Sequence, residues 1–102
     1  MTAEQLKALA HLSVLDISRV RAGPTCCHIL GDFGADIIKI EAPVGVDPNE
    51  GLSGARHGYD MLNLHRNKRS LTLNLKERAG HEIFMRLVKD ADVVVENFRP
   101  DV

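Results

Sequence analysis

Three short apolar runs, "SVLDIS", "ADIIKIE" and "ADVVVENF", and one alternating run, "SLTLNL", are separated by stretches of a different rhythm. That alternation limits the fold more than any other feature of the chain. In chain order the first, second and fourth runs are apolar almost throughout, as suits strands buried on both faces, and the third, "SLTLNL", alternates on a β-rich composition. The runs predict strands at 13–18, 35–41, 70–75 and 91–98. Between the last two, Ile83, Phe84, Leu87 and Val88 fall on one face of a helix running from Glu77 to about Lys89. Pro24 suits the first turn of another helix, where its missing N–H is no loss; this helix reaches about Phe33 and Gly34 ends it. A short helix is expected over Thr2 to Ala10, capped by Thr2 with Leu6 and Leu9 on one side.

Strands that alternate with helices imply parallel crossovers, so the expected class is α/β with a parallel sheet. The stretch from Ala42 to Asp60 breaks the pattern. It holds Pro43, Gly45, Pro48, Gly51, Gly54 and Gly58, and reads as a long loop with few apolar anchors. The segment after it, "MLNLHRNKRS", is ambiguous in state. Ligands of open α/β sheets gather at the carboxyl ends of strands. The chain ends just after the fourth strand, where loops that build such a site are expected to start, so it reads as incomplete.

With 102 residues there is room for one small domain and one core. The core must rest on Leu, Ile and Val, because the aromatics are only Phe33, Tyr59, Phe84 and Phe98. A formal net charge of −1 with ordinary hydrophobic content gives no sign of a nucleic-acid tail, a disordered chain or a membrane surface. "MTAEQLKALAHLSVLDIS" lacks the basic start and long apolar run of a signal peptide, and no stretch is long and apolar enough to span a bilayer. Cys26 and Cys27 are adjacent and make no disulfide framework. The cytosol is therefore the expected compartment.

The turn "RVRAGP" stands where a dinucleotide-binding fold carries its glycine triplet, and the triplet is missing. Ala22 and Gly23 are small enough to let an extended ligand lie against the backbone, and the helix that follows favours negative charge at its start. The plainer reading is a compact strand-to-helix turn. Arg66, Lys68 and Arg69 make a dense basic knot, which is either a phosphate contact or a solvated run. Lys76, just past a strand, is better placed for a phosphate. Asn97, at another strand end, would hold an amide or hydroxyl of a ligand or simply form a turn. Cys26 and Cys27 lie on the first helix and read as inert packing before they read as nucleophiles. His11, His28, His57, His65 and His81 have no metal-site spacing, and His57 with Asp60 and His65 is only a thin cluster, so no metal site is expected.

Three blocks in order, "LDISRVRAGP" with "GDFGADIIKIEAP", then "NLHRNKRSLTLNLK", then "ADVVVENFRP", resemble the amino-terminal part of the class III CoA-transferases. This is the family of formyl-CoA transferase, the carnitine CoA-transferases and α-methylacyl-CoA racemase. The resemblance covers roughly Leu12 to Pro100. It implies a Rossmann-like parallel sheet, with residues 1–102 as the first portion of a larger domain, and an interlocked homodimer in full-length members. It implies CoA or acyl-CoA as substrate, no separate cofactor and no metal, with a carboxylic acid as acceptor. Carried over by position, the CoA contacts would be Arg19, Arg21, Ala22, Leu73, Asn74, Lys76 and Asn97. Ala42 stands where some members place an arginine that binds the nucleotide end, so that contact is not expected here; Asp101 stands where many have glycine, so the turn after "ENFRP" is expected to differ.

The family's nucleophile is an aspartate well downstream of "ENFRP". Neither Asp92 nor Asp101 matches it, so no catalytic residue is expected within this chain. The resemblance leaves three alternatives: part of a transferase, part of an acyl-CoA racemase, or a non-enzymatic CoA-binding or assembly piece. An unrelated dehydrogenase half is disfavoured by the missing glycine fingerprint.

Overall fold

The computed structural model describes residues 7–46 and 59–100. Chain order gives β1 (Ser13–Asp16), α1 (Ala22–Asp32), β2 (Asp36–Glu41), α2 (Tyr59–Leu64), β3 (Lys68–Thr72), α3 (Arg78–Asp90) and β4 (Val93–Val95). The four strands form one sheet in the order β3-β2-β1-β4, and every pairing is parallel. Successive strands thus step one way from β1 through β2 to β3, and β4 then returns to the other side of β1. Right-handed crossovers in opposite directions put α1 and α3 on opposite faces of the sheet.

The alternation of side chains follows from that. Val14 and Ile37, paired in register, face α1 and close with Cys27 and Ala35 into a core cluster, with Leu9, Leu12, Leu30 and Val95 packed on it. Leu15, only 1% exposed, points to the α3 side. Gly34, at φ 106, ends α1 as its place in the sequence predicts.

Several boundaries differ from the sequence expectation, each for a local reason. β1 stops at Asp16 rather than 18, because the Asp16 carboxylate accepts the Ser18 N–H at 2.9 Å and turns the chain. β2 begins at Asp36, and α1 opens at Ala22, which leaves Pro24 within its first turn. β3 starts two residues earlier than the expected 70–75 and ends at Thr72. Leu73 N–H still bonds to the Glu41 carbonyl at 2.9 Å, and then the Asn74 side chain takes the Lys76 N–H at 3.1 Å and forms a turn. β4 shrinks from the expected 91–98 to Val93–Val95: its last ladder contact is the Val95 carbonyl with Ile17 N–H at 3.0 Å.

The ambiguous stretch before β3 divides into the end of α2, a turn with Asn67 at φ 62, and the start of β3. Tyr59 and Asp60 belong to α2, not to the expected loop; Pro43 to Val46 form a turn closed by Val46 N–H on the Pro43 carbonyl at 3.1 Å, and 47–58 lie outside the described residues. Of the expected first helix, residues 7–10 form a bend and turn instead, where Leu9 N–H is taken by the Phe33 carbonyl at 2.9 Å, and residues 2–6 lie outside the described residues. No helix among the described residues is long and apolar enough to cross a membrane.

Candidate functional site

A parallel sheet puts all its carboxyl ends on one edge. Arg19, Arg21 and Ala22 follow β1, Ala42 follows β2, Leu73 to Lys76 follow β3, and Asn97 follows β4. The seven residues that the family resemblance marks as CoA contacts, and Ala42, therefore share that edge. They fall into two groups. The β1 and β4 ends are neighbours, and between them lies the point where the strand order reverses, the usual ligand crevice of such sheets. The β3 end lies two strands from β1, about 10 Å away at the usual inter-strand spacing. An extended ligand is needed to touch both.

At the crevice Asn97 closes on the chain that leaves β1. Its Oδ1 accepts the Arg19 N–H at 2.9 Å and its Nδ2 donates to the Arg19 carbonyl at 2.8 Å. The side chain thus continues the β1–β4 ladder after the backbone has left it. The Arg19 guanidinium lies over the Phe98 ring, 5.6 Å from its centre. Gly23 sits against the same turn: a Cβ there would overlap Ser18 and approach Asn97 to 3.6 Å. Gly80, in the first turn of α3, is pressed against the Asn74 backbone, with no room for a Cβ beside that carbonyl. Arg21, Ala22, Lys76 and Asn97 are exposed along the edge, while Arg19, Leu73 and Asn74 are half-buried.

Beneath the turn lies a buried polar cluster. Asp16 is fully buried and Lys39 is 8% exposed. The Lys68 side chain is 1% exposed and pairs with Asp16 at 2.7 Å. Its ammonium also donates to the Pro24 carbonyl at 3.1 Å and to His65 Nδ1 at 2.9 Å. Asp16 Oδ1 accepts both the N–H and the hydroxyl of Ser18, and Lys39 Nζ donates to the Ser18 carbonyl at 3.0 Å.

The ionisation of the cluster follows from its burial. Burial pushes the Asp16 carboxyl up, but the hydrogen bonds from Lys68 and Ser18 and the two lysine charges outweigh it, and it stays below the usual carboxylate range. Lys39 is lowered by burial, with the Asp16 charge opposing. His65 is pushed down to about 4 by burial and then by the Lys68 and Lys39 charges, so it is neutral near pH 7 and free to accept from Lys68. The Cys27 thiol, buried and near Asp16, is pushed up to about 12, which makes it inert packing. Cys26 is exposed.

This overturns the reading of Arg66, Lys68 and Arg69 as one basic knot. The three side chains part company. Arg66 bonds to Asp32 at 2.8 Å, Arg69 to Asp36 at 2.6 Å, and Lys68 turns inward to Asp16. Arg69 and Asp36 stand at the amino end of the sheet, opposite the proposed ligand edge. Asp92 is there too, with Oδ2 on the Ser13 N–H at 2.8 Å, which removes it from any part in chemistry at the carboxyl edge.

Sequence reasoning missed the roles of Asp16, Ser18, Lys39 and His65. The available signal was a charge in the middle of each of two largely apolar strands, Asp16 in "SVLDIS" and Lys39 in "ADIIKIE", since a charge in a strand covered on both faces needs a partner. Among the described residues, no three His, Cys, Asp or Glu side chains are grouped to hold a metal ion. Of the thin histidine cluster, His57 lies outside the described residues.

Comparison with known proteins gives one consistent result. The model of the family described as CoA-transferase family III matches residues 9–102. A succinyl-CoA–L-malate CoA-transferase alpha subunit of Chloroflexus aurantiacus is 39% identical over 97% of this chain and 24% of its own length. A formyl-CoA:oxalate CoA-transferase of Bradyrhizobium diazoefficiens is 43% identical over 94% of this chain and 23% of its own. The crystal structure of Rv3272 from M. tuberculosis superposes with a TM-score of 0.76 at 37% identity, covering 92% of this chain and 26% of that one. A CAIB/BAIF family protein from Brucella suis superposes with a TM-score of 0.70 at 35% identity, over 90% of this chain and 26% of its own. The chain thus spans about a quarter of the length of these relatives.

Proposed function

The chain belongs to CoA-transferase family III, and from that premise we propose that its carboxyl sheet edge is the CoA-holding portion of an enzyme that moves CoA from an acyl-CoA to a carboxylic acid. The observation that carries the reading is the gathering of Arg19, Arg21, Ala22, Leu73, Asn74, Lys76 and Asn97 on one edge, from three separate places in the sequence. In this reading Arg21 and Lys76 supply cations for phosphate oxygens, one as a fork and one as a point charge. Ala22 and Gly23 let the ligand approach the backbone, and the start of α1 adds its partial positive charge. Asn97 acts mainly by fixing Arg19. Residues 1–102 are then the amino-terminal portion of the family's large domain, and the complete protein is a cytoplasmic homodimer.

The chemistry that such an edge would serve makes its own demand. An aspartate carboxylate attacks the thioester carbonyl, the C–S bond breaks, and CoA leaves as thiolate beside a mixed anhydride. The thiolate then attacks the aspartyl carbonyl and expels the first carboxylate. An acceptor carboxylate repeats the sequence in reverse. CoA is covalently free twice in each cycle, so the protein must keep hold of it by its nucleotide and pantetheine parts. Holding it turns a bimolecular return into an intramolecular one. That is the task assigned to this edge. The transferase names of the relatives favour transfer over racemisation for the complete protein.

Calorimetry of the chain with CoA and with NAD, at low and high salt, tests the reading. CoA is expected to bind more tightly than NAD, and its affinity to fall as salt rises. Tighter binding of NAD, or CoA binding indifferent to salt, would overturn it.

A further inference from the structure

The β1–α1 turn is a short piece of chain in a costly conformation. Val20, a β-branched residue, sits at φ 64, in the left-handed region where such side chains are outliers. A backbone of that kind persists only when its surroundings over-determine it. Two fixed points enclose the strained residue. Ser18 precedes it, held by its N–H and hydroxyl on Asp16 and by its carbonyl on Lys39. Pro24 follows it, with its carbonyl on Lys68. Gly23 brings the two points into contact, because nothing larger than hydrogen fits between it and Ser18.

Both fixed points lead back to one group. The Lys68 ammonium has three N–H bonds to give and three acceptors in place: Asp16, the Pro24 carbonyl and His65. Its side chain is 1% exposed, so it cannot itself reach a ligand lying on the edge. Yet it begins β3, and Asp16 ends β1, with β2 between them. The lysine spans that strand to tie the first turn of α1 to the end of β1.

We propose that Lys68 is a positioning residue for CoA: acting through Asp16 and Pro24, it holds the strained turn that carries Arg19, Arg21 and Ala22 in the shape that receives the ligand. This rests on the reading of the edge as a CoA site, and it assigns to the basic segment a role beneath the site and not in it.

The test is Lys68→Met in the full chain, read by CoA affinity in calorimetry and by amide exchange resolved along the sequence, below the melting temperature of both proteins. Methionine keeps the stem and removes the three donors. CoA affinity is expected to fall about tenfold or more, as for loss of a charged hydrogen-bonded group. Exchange at residues 19–23 should accelerate while that of α3 stays unchanged, a local effect that general destabilisation would not give. Retention of affinity within about twofold overturns the proposal. So does a loss of affinity with exchange at 19–23 unchanged, since Lys68 would then be acting on the ligand directly. Should the unsubstituted chain bind no CoA, the functional reading fails by itself, and exchange at 19–23 still decides whether Lys68 holds the turn. Should Lys68→Met not fold, His65→Leu removes only one of the three acceptors. It is expected to give a smaller shift in both readouts, and no shift in either overturns the proposal.

Discussion

Gly23 and Gly80 occupy equivalent places, each in the first turn of a helix that packs hard on the strand end before it. At Gly80 the obstacle is backbone, the Asn74 carbonyl, which cannot swing aside. Gly80→Ala is therefore expected to cost about 1–3 kcal/mol, measured by denaturant unfolding, in the range of overpacked cores. Gly23→Ala should cost a similar amount and also weaken CoA binding, because it pushes on Ser18 and the turn. His65 makes a pH prediction. Its ordinary value near 6.5 applies to the unfolded chain, whereas the folded chain takes up the proton only near pH 4. Between those values the unfolded state binds more protons, so stability falls as the pH drops from 6.5 towards 4. The loss should be on the order of 3 kcal/mol, and His65→Leu should flatten that part of the stability curve. Asp16 acts in the same direction at lower pH: its folded value is depressed, so its contribution is complete above the unfolded carboxylate range and is lost below it.

At the level of elements, β3 has two ends with different work. Its amino end carries Arg69, paired with Asp36, with side chains 68% and 51% exposed. Pairs so open to solvent contribute between nothing and about 1 kcal/mol. Arg69→Ala is thus expected to change stability by less than about 1 kcal/mol and to leave CoA affinity unchanged, by calorimetry and denaturant unfolding. A large loss of affinity would return the basic segment to the ligand site. The carboxyl side of β4 is the contrasting case. Asn97 replaces two ladder bonds with its own amide, and Asn97→Ala should loosen the crevice by about 1–2 kcal/mol in stability, with faster exchange at Arg19.

Across the whole molecule, β3 and β4 are both edge strands, and the β4 side is apolar. Val93 and Val94 are 37% and 40% exposed, and Ile83 and Met85 on α3 are 39% and 46% exposed. An apolar edge with unpaired backbone groups invites pairing with another chain. The 102-residue chain is expected to associate as its concentration rises, seen by sedimentation, and Val94→Lys should reduce that association without changing the fold. Mixed with an acyl-CoA and carboxylate acceptors, the same chain is expected to form no new CoA ester. Turnover that survives repurification and is lost on Asp92→Asn would contradict both that expectation and the placement of Asp92 at the amino end of the sheet.

The parallel α/β class, Pro24 in the first turn of α1, the stop at Gly34 and the family were legible in the sequence. Each depends on local chemistry or on ordered motifs: apolar runs of strand length, a fixed φ, a glycine free to take positive φ, and blocks that match in sequence and spacing. The edge that gathers Arg19 through Asn97 was legible only through the family resemblance, since composition and periodicity do not say which strand neighbours which. Tertiary structure decided the rest. The order β3-β2-β1-β4 put Lys68 within reach of Asp16, 52 positions away, and removed it from a surface run that looked uniform. It sent Arg66 and Arg69 to different carboxylates and shortened β4 at the point where the Asn97 side chain took over the ladder. A charge's role depends on what faces it across the fold, and partners distant along the chain leave no periodic trace in the residues beside it.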